Sequence, residues 1–124
     1  MSKDSKFDLE ARLIDFAARC IKVANSLLNT QAGQNLSGQL TRSGTSPALN
    51  YGEAQGAESR KDFIHKMKIC LKELRETRVC LKIIIQSEML GAEKLQALMD
   101  ETNELISIFV TSIKTAKENM NRTS

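Results

Sequence analysis

Tryptophan is missing from these 124 residues and the rings stop at four Phe and one Tyr, which disfavours recognition of bases by a row of stacking aromatics. One Pro and six Gly are roughly half the usual share of about 12%. So few turn residues exclude a many-stranded β fold and favour long helices. Cys20, Cys70 and Cys80 are odd in number and contain no Cys-x-x-Cys pair. They read as reduced thiols serving as small buried hydrophobes, not as a disulfide frame. His65 is the only imidazole. It reads as a surface residue, and a zinc site would have to gather ligands without recognisable spacing. Neither a phosphate-cradling glycine loop nor a G-x-S-x-G nucleophile elbow is present, so no cofactor is expected.

Long apolar runs are also lacking. The densest, Ile83-Ile84-Ile85, lies between Lys82 and Gln86, far below the ~18 apolar residues of a bilayer-spanning helix. The opening, from Met1 to Leu13, alternates charges and lacks a signal-peptide apolar core. A cytoplasmic protein with no membrane association is the expectation.

What is present is helical period. Leu9, Leu13, Phe16, Ala17, Cys20, Ala24, Leu27 and Leu28 recur at three- and four-residue steps, with Arg12, Asp15, Arg19 and Lys22 opposite. They predict a helix over about 8–30, stopped by the polar run Asn29 to Gly33. A second helix, about 34–54, aligns Leu36, Leu40, Gly44, Pro47, Ala48 and Tyr51. Gly44, Ala48 and Gly52 form a small-residue strip beside them, which lets a neighbouring helix approach closely. Pro47 removes a backbone donor and clashes with the Ser43 carbonyl, predicting a kink or break there. Ser59 to Asp62 resembles a capping box that opens a third helix, about 59–89, with Gly91 as its C-cap. A fourth follows over about 92–118 with Leu95, Leu98, Met99, Leu105, Ile106, Phe109 and Ile113 inward. Residues 119–124 are expected to fray. The fold class is all-α: a single 1–124 domain, an antiparallel up-down-up-down four-helix bundle.

The net charge of +3 belongs to helix three, where residues 58–90 carry eight basic and five acidic groups. At about 100° per residue, Lys61, Lys68, Lys72, Arg75 and Lys82 share one side and Phe63, Met67, Cys70, Leu74 and Leu81 the other. Such a stripe is either a phosphate-contacting face for RNA or DNA, with salt-dependent affinity, or a plain solvated face, with Glu73 and Glu76 nearby. Ile69, Val79 and Ile83 fall outside the apolar side and predict a subunit interface in a homo-oligomer. Arg78 points near the apolar side and would need a partner if buried.

On helix two, Arg42, Ser46, Asn50 and Glu53 align at steps of four, four and three. They form the one constellation resembling a site. It holds no visible base for Ser46, so a polar seam between helices or subunits is the better reading than catalysis. No enzyme activity is expected.

The run Gln39 to Ser46, continued through Asn50, Glu53-Ala54 and Ser59-Arg60-Lys61-Asp62-Phe63-Ile64 into Leu71 to Thr77, resembles bacterial four-helix-bundle proteins encoded in intervening sequences of 23S ribosomal RNA genes. The similarity covers approximately residues 9–117. The same superfamily includes the accessory variability protein of diversity-generating retroelements. That resemblance implies a ring-shaped homopentamer that binds a reverse transcriptase and nucleic acid, with Arg42, Ser46, Asn50 and Glu53 matching the family's polar helix-two pattern.

Three functions compete on this reading. The first is an oligomeric module binding nucleic acid or a reverse transcriptase through the basic face of helix three. The second is a structural or protein-interaction bundle held by Ile69, Val79 and Ile83. The third is a hydrolase or metal enzyme using the Arg42, Ser46, Asn50 and Glu53 stripe.

Overall fold

The computed structural model describes residues 8–123. Residues 1–7 and Ser124, which the expected domain and frayed tail include, lie outside the described residues. Four helices in chain order build the fold: α1 (Leu9–Asn25), α2 (Gln31–Gln55), α3 (Arg60–Gln86) and α4 (Ala92–Thr123), with no strand among the described residues. Each helix packs on the next in sequence, and α1 closes the bundle more lightly against α4.

Side-chain oxygens set three of the helix starts. Asp8 accepts from Ala11 N (3.0 Å), Thr30 from Gly33 N (3.1 Å) and Ser59 from Asp62 N (3.0 Å). Each satisfies a first-turn donor that has no partner within its helix. The hydroxyls of Ser26 and Thr30 explain why α1 stops at Asn25 rather than near residue 30. Ser26 Oγ bonds the Val23 carbonyl at 2.7 Å, and Thr30 adopts the extended conformation of a cap. Gly33, expected to stop helix one, lies within the first turn of α2. A Cβ there would fall 1.9 Å from the Leu28 carbonyl oxygen, so only glycine fits.

The end of α3 also differs from expectation. The left-handed residue is Glu88 (φ 64°), not Gly91. Met89 N bonds the Ile84 carbonyl at 3.1 Å and Glu88 N the Ile85 carbonyl at 3.0 Å. This is the paired hydrogen bonding of a Schellman turn, and half-buried Met89 packs against the core that contains Ile84. At the other end, α4 runs through Thr123, well beyond Glu118 where fraying was expected. Its last turns are held by packing, because Met120 lies against the core and lines a depression with Ile64.

Pro47 does not break α2, which is continuous from Gln31 to Gln55. The ring is buried, and the Pro47 carbonyl accepts from the Cys70 thiol at 3.4 Å. Tertiary packing on both neighbours therefore outweighs the lost donor. Gly44 marks the close approach of α1: a Cβ there would lie 2.6 Å from Cys20 Cβ. Against α3, Thr77 Oγ1 donates to Ser43 Oγ at 2.9 Å, a hydroxyl pair with no exposure on either residue. Tyr51 and Phe109 meet edge to face across the core, 6.2 Å apart and at 78°.

The core is as the periodicity predicts, with Leu13, Phe16, Leu40, Met67, Leu74, Leu81, Leu105 and Phe109 buried. Leu28 is the exception, exposed in the turn after α1. All three cysteines are free and buried. Burial pushes the Cys20 and Cys70 thiols up to about 12. No helix among the described residues is long and apolar enough to cross a membrane.

Candidate nucleic-acid interface

Lys61, Lys68, Lys72, Arg75 and Lys82 are all exposed on the outer side of α3. Their acidic neighbours do not neutralise them. Glu73 and Glu76 turn toward α2, where the Arg42 guanidinium donates to Glu73 Oε1 at 3.0 Å and to Glu76 Oε2. Those two carboxylates, Glu76 foremost, raise the guanidinium's pKa. Lys66, off the stripe, also reaches α2, donating to Glu53 at 2.7 Å. Among the described residues, none of the five stripe cations forms an ion pair with a carboxylate.

The C-terminal half of α4 completes the surface. Lys61, Ile64, His65 and Lys68 face Lys117, Met120 and Asn121 across a depression of about 400 Å³. Directly adjoining it, Leu71 and Arg75 face Val110, Ile113, Lys114, Lys117, Glu118 and Asn121 across another of about 360 Å³. Lys117 and Asn121 belong to both, so the two are one groove along the α3–α4 seam. It is lined by Lys61, Lys68, Arg75, Lys114 and Lys117 against a single acid, Glu118. Lys117 stands so close to Lys68 that their mutual repulsion lowers its pKa below that of an ordinary lysine. A polyanion laid along the groove would relieve that repulsion, and its counterions would be released.

The sequence reasoning misses Lys114 and Lys117. Residues 91–124 sum to −1, which hides a polar distribution. Glu93, Asp100, Glu101 and Glu104 stand against Lys94 in the first half of α4, while Lys114, Lys117 and Arg122 stand against Glu118 in the second. The acidic half meets α1 instead, where Arg12 donates to Glu101 (2.8 and 3.1 Å) and Glu104 (2.8 Å). A running charge along the helix, in place of a segment sum, exposes the basic end.

Of the polar quartet on α2, the two ends tie that helix to α3: Arg42 through Glu73 and Glu76, Glu53 through Lys66. The middle pair stays within α2, where Asn50 Nδ2 donates to Ser46 O (3.0 Å) and Oγ (2.9 Å). Only the two ends of the quartet are thus drawn into helix-pinning contacts. Among the described residues, no cluster of three or more His, Cys, Asp or Glu could hold a metal ion. Val79 and Ile83 are 54% and 46% exposed beside the basic residues, whereas Ile69 is half-buried. Arg78 is half-buried and donates to Asn103 Oδ1 at 3.1 Å, which supplies the partner its position requires. His65 is exposed, as expected. A cleft of about 750 Å³ lies elsewhere, between the α2–α3 turn and the end of α4, and is lined by small and polar side chains around Phe63.

These features define an all-α bundle with one cationic groove. The chain belongs to the 23S rRNA-intervening sequence protein family, whose model matches residues 6–111. A crystal structure of a protein of unknown function from the S23 ribosomal protein family of Bacteroides thetaiotaomicron is similar, with 34% identity and a TM-score of 0.80. The alignment covers 85% of this chain and 97% of that one. No curated protein matches. The family match ends at residue 111, so Lys114 and Lys117, two of the groove's five cations, and its one acid Glu118 lie beyond it.

Proposed function

We propose that this chain is a non-enzymatic binding protein whose α3–α4 groove takes the phosphate backbone of structured nucleic acid, RNA foremost. The observation that carries this reading is the groove's imbalance, five cations lining it against one carboxylate, with Glu73 and Glu76 of α3 diverted to Arg42. Phosphate contacts of this kind position a duplex without reading its bases, which suits a surface lacking exposed aromatic rings.

The test is a titration of labelled hairpin RNA at low and raised salt with the intact protein, Lys68→Ala/Lys72→Ala/Arg75→Ala, and Lys114→Ala/Lys117→Ala. The intact protein is expected to lose affinity linearly in log salt. Each variant should bind roughly tenfold or more weakly and with a shallower salt slope. Binding that is absent, or equal in all three proteins, overturns the reading.

One observation favours a second reading, a protein-interaction bundle: Val79 and Ile83 place exposed apolar surface within the basic face. A protein partner with an acidic, partly apolar surface, such as a polymerase, would use both kinds of group. In that case Val79→Ser/Ile83→Ser abolishes partner capture while hairpin RNA binding is negligible throughout.

A further inference from the structure

One end of the groove is more cationic than the rest of it. The depression between the start of α3 and the end of α4 is lined by Lys61, His65 and Lys68 on one side and Lys117 and Asn121 on the other, with no carboxylate in its walls. Ile64 and Met120 complete it. Ile64 is 6% exposed and Met120 packs against the core, so the bundle fixes an apolar floor while exposed lysines form the rim. The volume, about 400 Å³, falls in the ~300–1,000 Å³ range of small-ligand sites.

The adjoining depression is less one-sided. It adds Arg75 and Lys114 to the shared Lys117, but it also holds Glu118, and Leu71, Val110 and Ile113 make much of its wall. At the first depression three lysines and an imidazole converge with no lining carboxylate to offset them. Lys68 and Lys117 even come within hydrogen-bonding reach of each other across the seam, despite their like charge. A phosphodiester inside a strand would bring one negative charge to this place. A phosphate monoester brings about −1.5 to −2 near neutral pH, with three strong acceptor oxygens. Three ammonium groups at one depression match the monoester and exceed what a diester can balance.

Resting on the reading of the groove as a nucleic-acid surface, we propose that this depression recognises an RNA end. It holds a terminal phosphate monoester on Lys61, Lys68 and Lys117, with the terminal nucleoside over Ile64 and Met120. Helix geometry sets the direction of the strand. Arg75 follows Lys68 by seven residues, about 10 Å along α3, so the diesters next to the end continue toward Arg75 and Lys114. Met120 suits the nucleoside contact, because an unbranched thioether adapts to whichever base is terminal. His65 and Asn121 add hydrogen-bonding groups at the rim.

The test uses one hairpin RNA, labelled in its loop, in three forms: with a 5′-phosphate, with a 3′-phosphate, and with hydroxyls at both ends. Affinities are compared at about 0.15 M salt, where distant backbone attraction is screened. At least one phosphorylated form is expected to bind the intact protein about tenfold tighter than the hydroxyl form, and which one it is identifies the end. Lys61→Ala/Lys117→Ala should erase that ratio. Lys114→Ala, confined to the adjoining depression, should weaken all three RNAs alike and keep the ratio. All three lysines are exposed, so helical circular dichroism should not change. Equal binding of the three forms by the intact protein overturns the end site and leaves the groove as a nucleic-acid surface. A ratio that survives Lys61→Ala/Lys117→Ala overturns it as well. If no hairpin binds, the groove fails as a nucleic-acid surface, and a nucleoside monophosphate alone decides the end site. It is expected to shift the side-chain NMR signals of Lys68 and Lys117 where the unphosphorylated nucleoside does not, and the absence of that shift overturns the site.

Discussion

The two long faces of this bundle divide its chemistry. The α3–α4 face concentrates the cations and turns Glu73 and Glu76 sideways, while the α1–α2 face pairs most of its charges, Glu10 and Lys22 apart, and leaves isoleucines in water. The difference shows that a net charge of +3 describes neither side. Arg42 links them: it carries α2's only positive charge and spends it on Glu73 and Glu76, so one ion-pair cluster both neutralises the outer surface of α2 and leaves α3 basic.

Breaking that cluster is the most disruptive change to the comparison. Arg42→Ala leaves Glu73, 7% exposed, without its cation, and a loss of about 1–3 kcal/mol in chemical denaturation is expected. It should also weaken RNA binding although Arg42 is outside the groove, because two carboxylates regain their field over α3. Glu76→Gln should do the reverse to binding at little cost in stability. Glycines sharpen the contrast between inside and outside. Gly44→Ala, with its Cβ 2.6 Å from Cys20, should cost about 1–3 kcal/mol, whereas Gly38→Ala at the exposed face should gain about 0.5–1 kcal/mol in the monomer. Thermal melts of dilute protein separate the two signs.

At the turn between the two helices of the basic face, Glu88→Gly relieves a left-handed residue and should stabilise by about 0.5–1 kcal/mol in the same melts. The smallest effect is a pH dependence. Lys117, depressed by Lys68, loses its proton at lower pH than an ordinary lysine of 10.5. Bound polyanion favours the charged form and raises that pKa. Complex formation should therefore take up protons in alkaline solution and release none near neutrality, and NMR titration of the Lys117 side chain with and without hairpin RNA measures it.

Much of this was legible in the amino-acid order, for identifiable reasons. Helical period depends on residues three and four apart, so the four helices and their buried faces follow directly from positions such as Leu13, Phe16, Leu74 and Phe109. Boundaries depend on single side chains competing with the backbone. Ser26 and Thr30 ended and restarted helices where periodicity alone ran on, and Glu88 took the left-handed place that glycine normally fills. The same division holds at the groove. Lys61, Lys68, Lys72, Arg75 and Lys82 share one helix and were visible as a stripe. The opposition of Lys61, Lys68 and Arg75 to Lys114 and Lys117, and the removal of Glu73 and Glu76 by Arg42, arise only when separate helices are packed together.

The buried thiols make the molecule a clock for its own opening. With Cys20 and Cys70 pushed up to about 12, almost no thiolate exists at neutral pH in the closed state, so alkylation proceeds only when a helix lifts away. Cys20 lies against Gly44, and Cys70 against Pro47. The order in which the two are labelled thus reads out which seam of the bundle, α1 with α2 or α2 with α3, parts first.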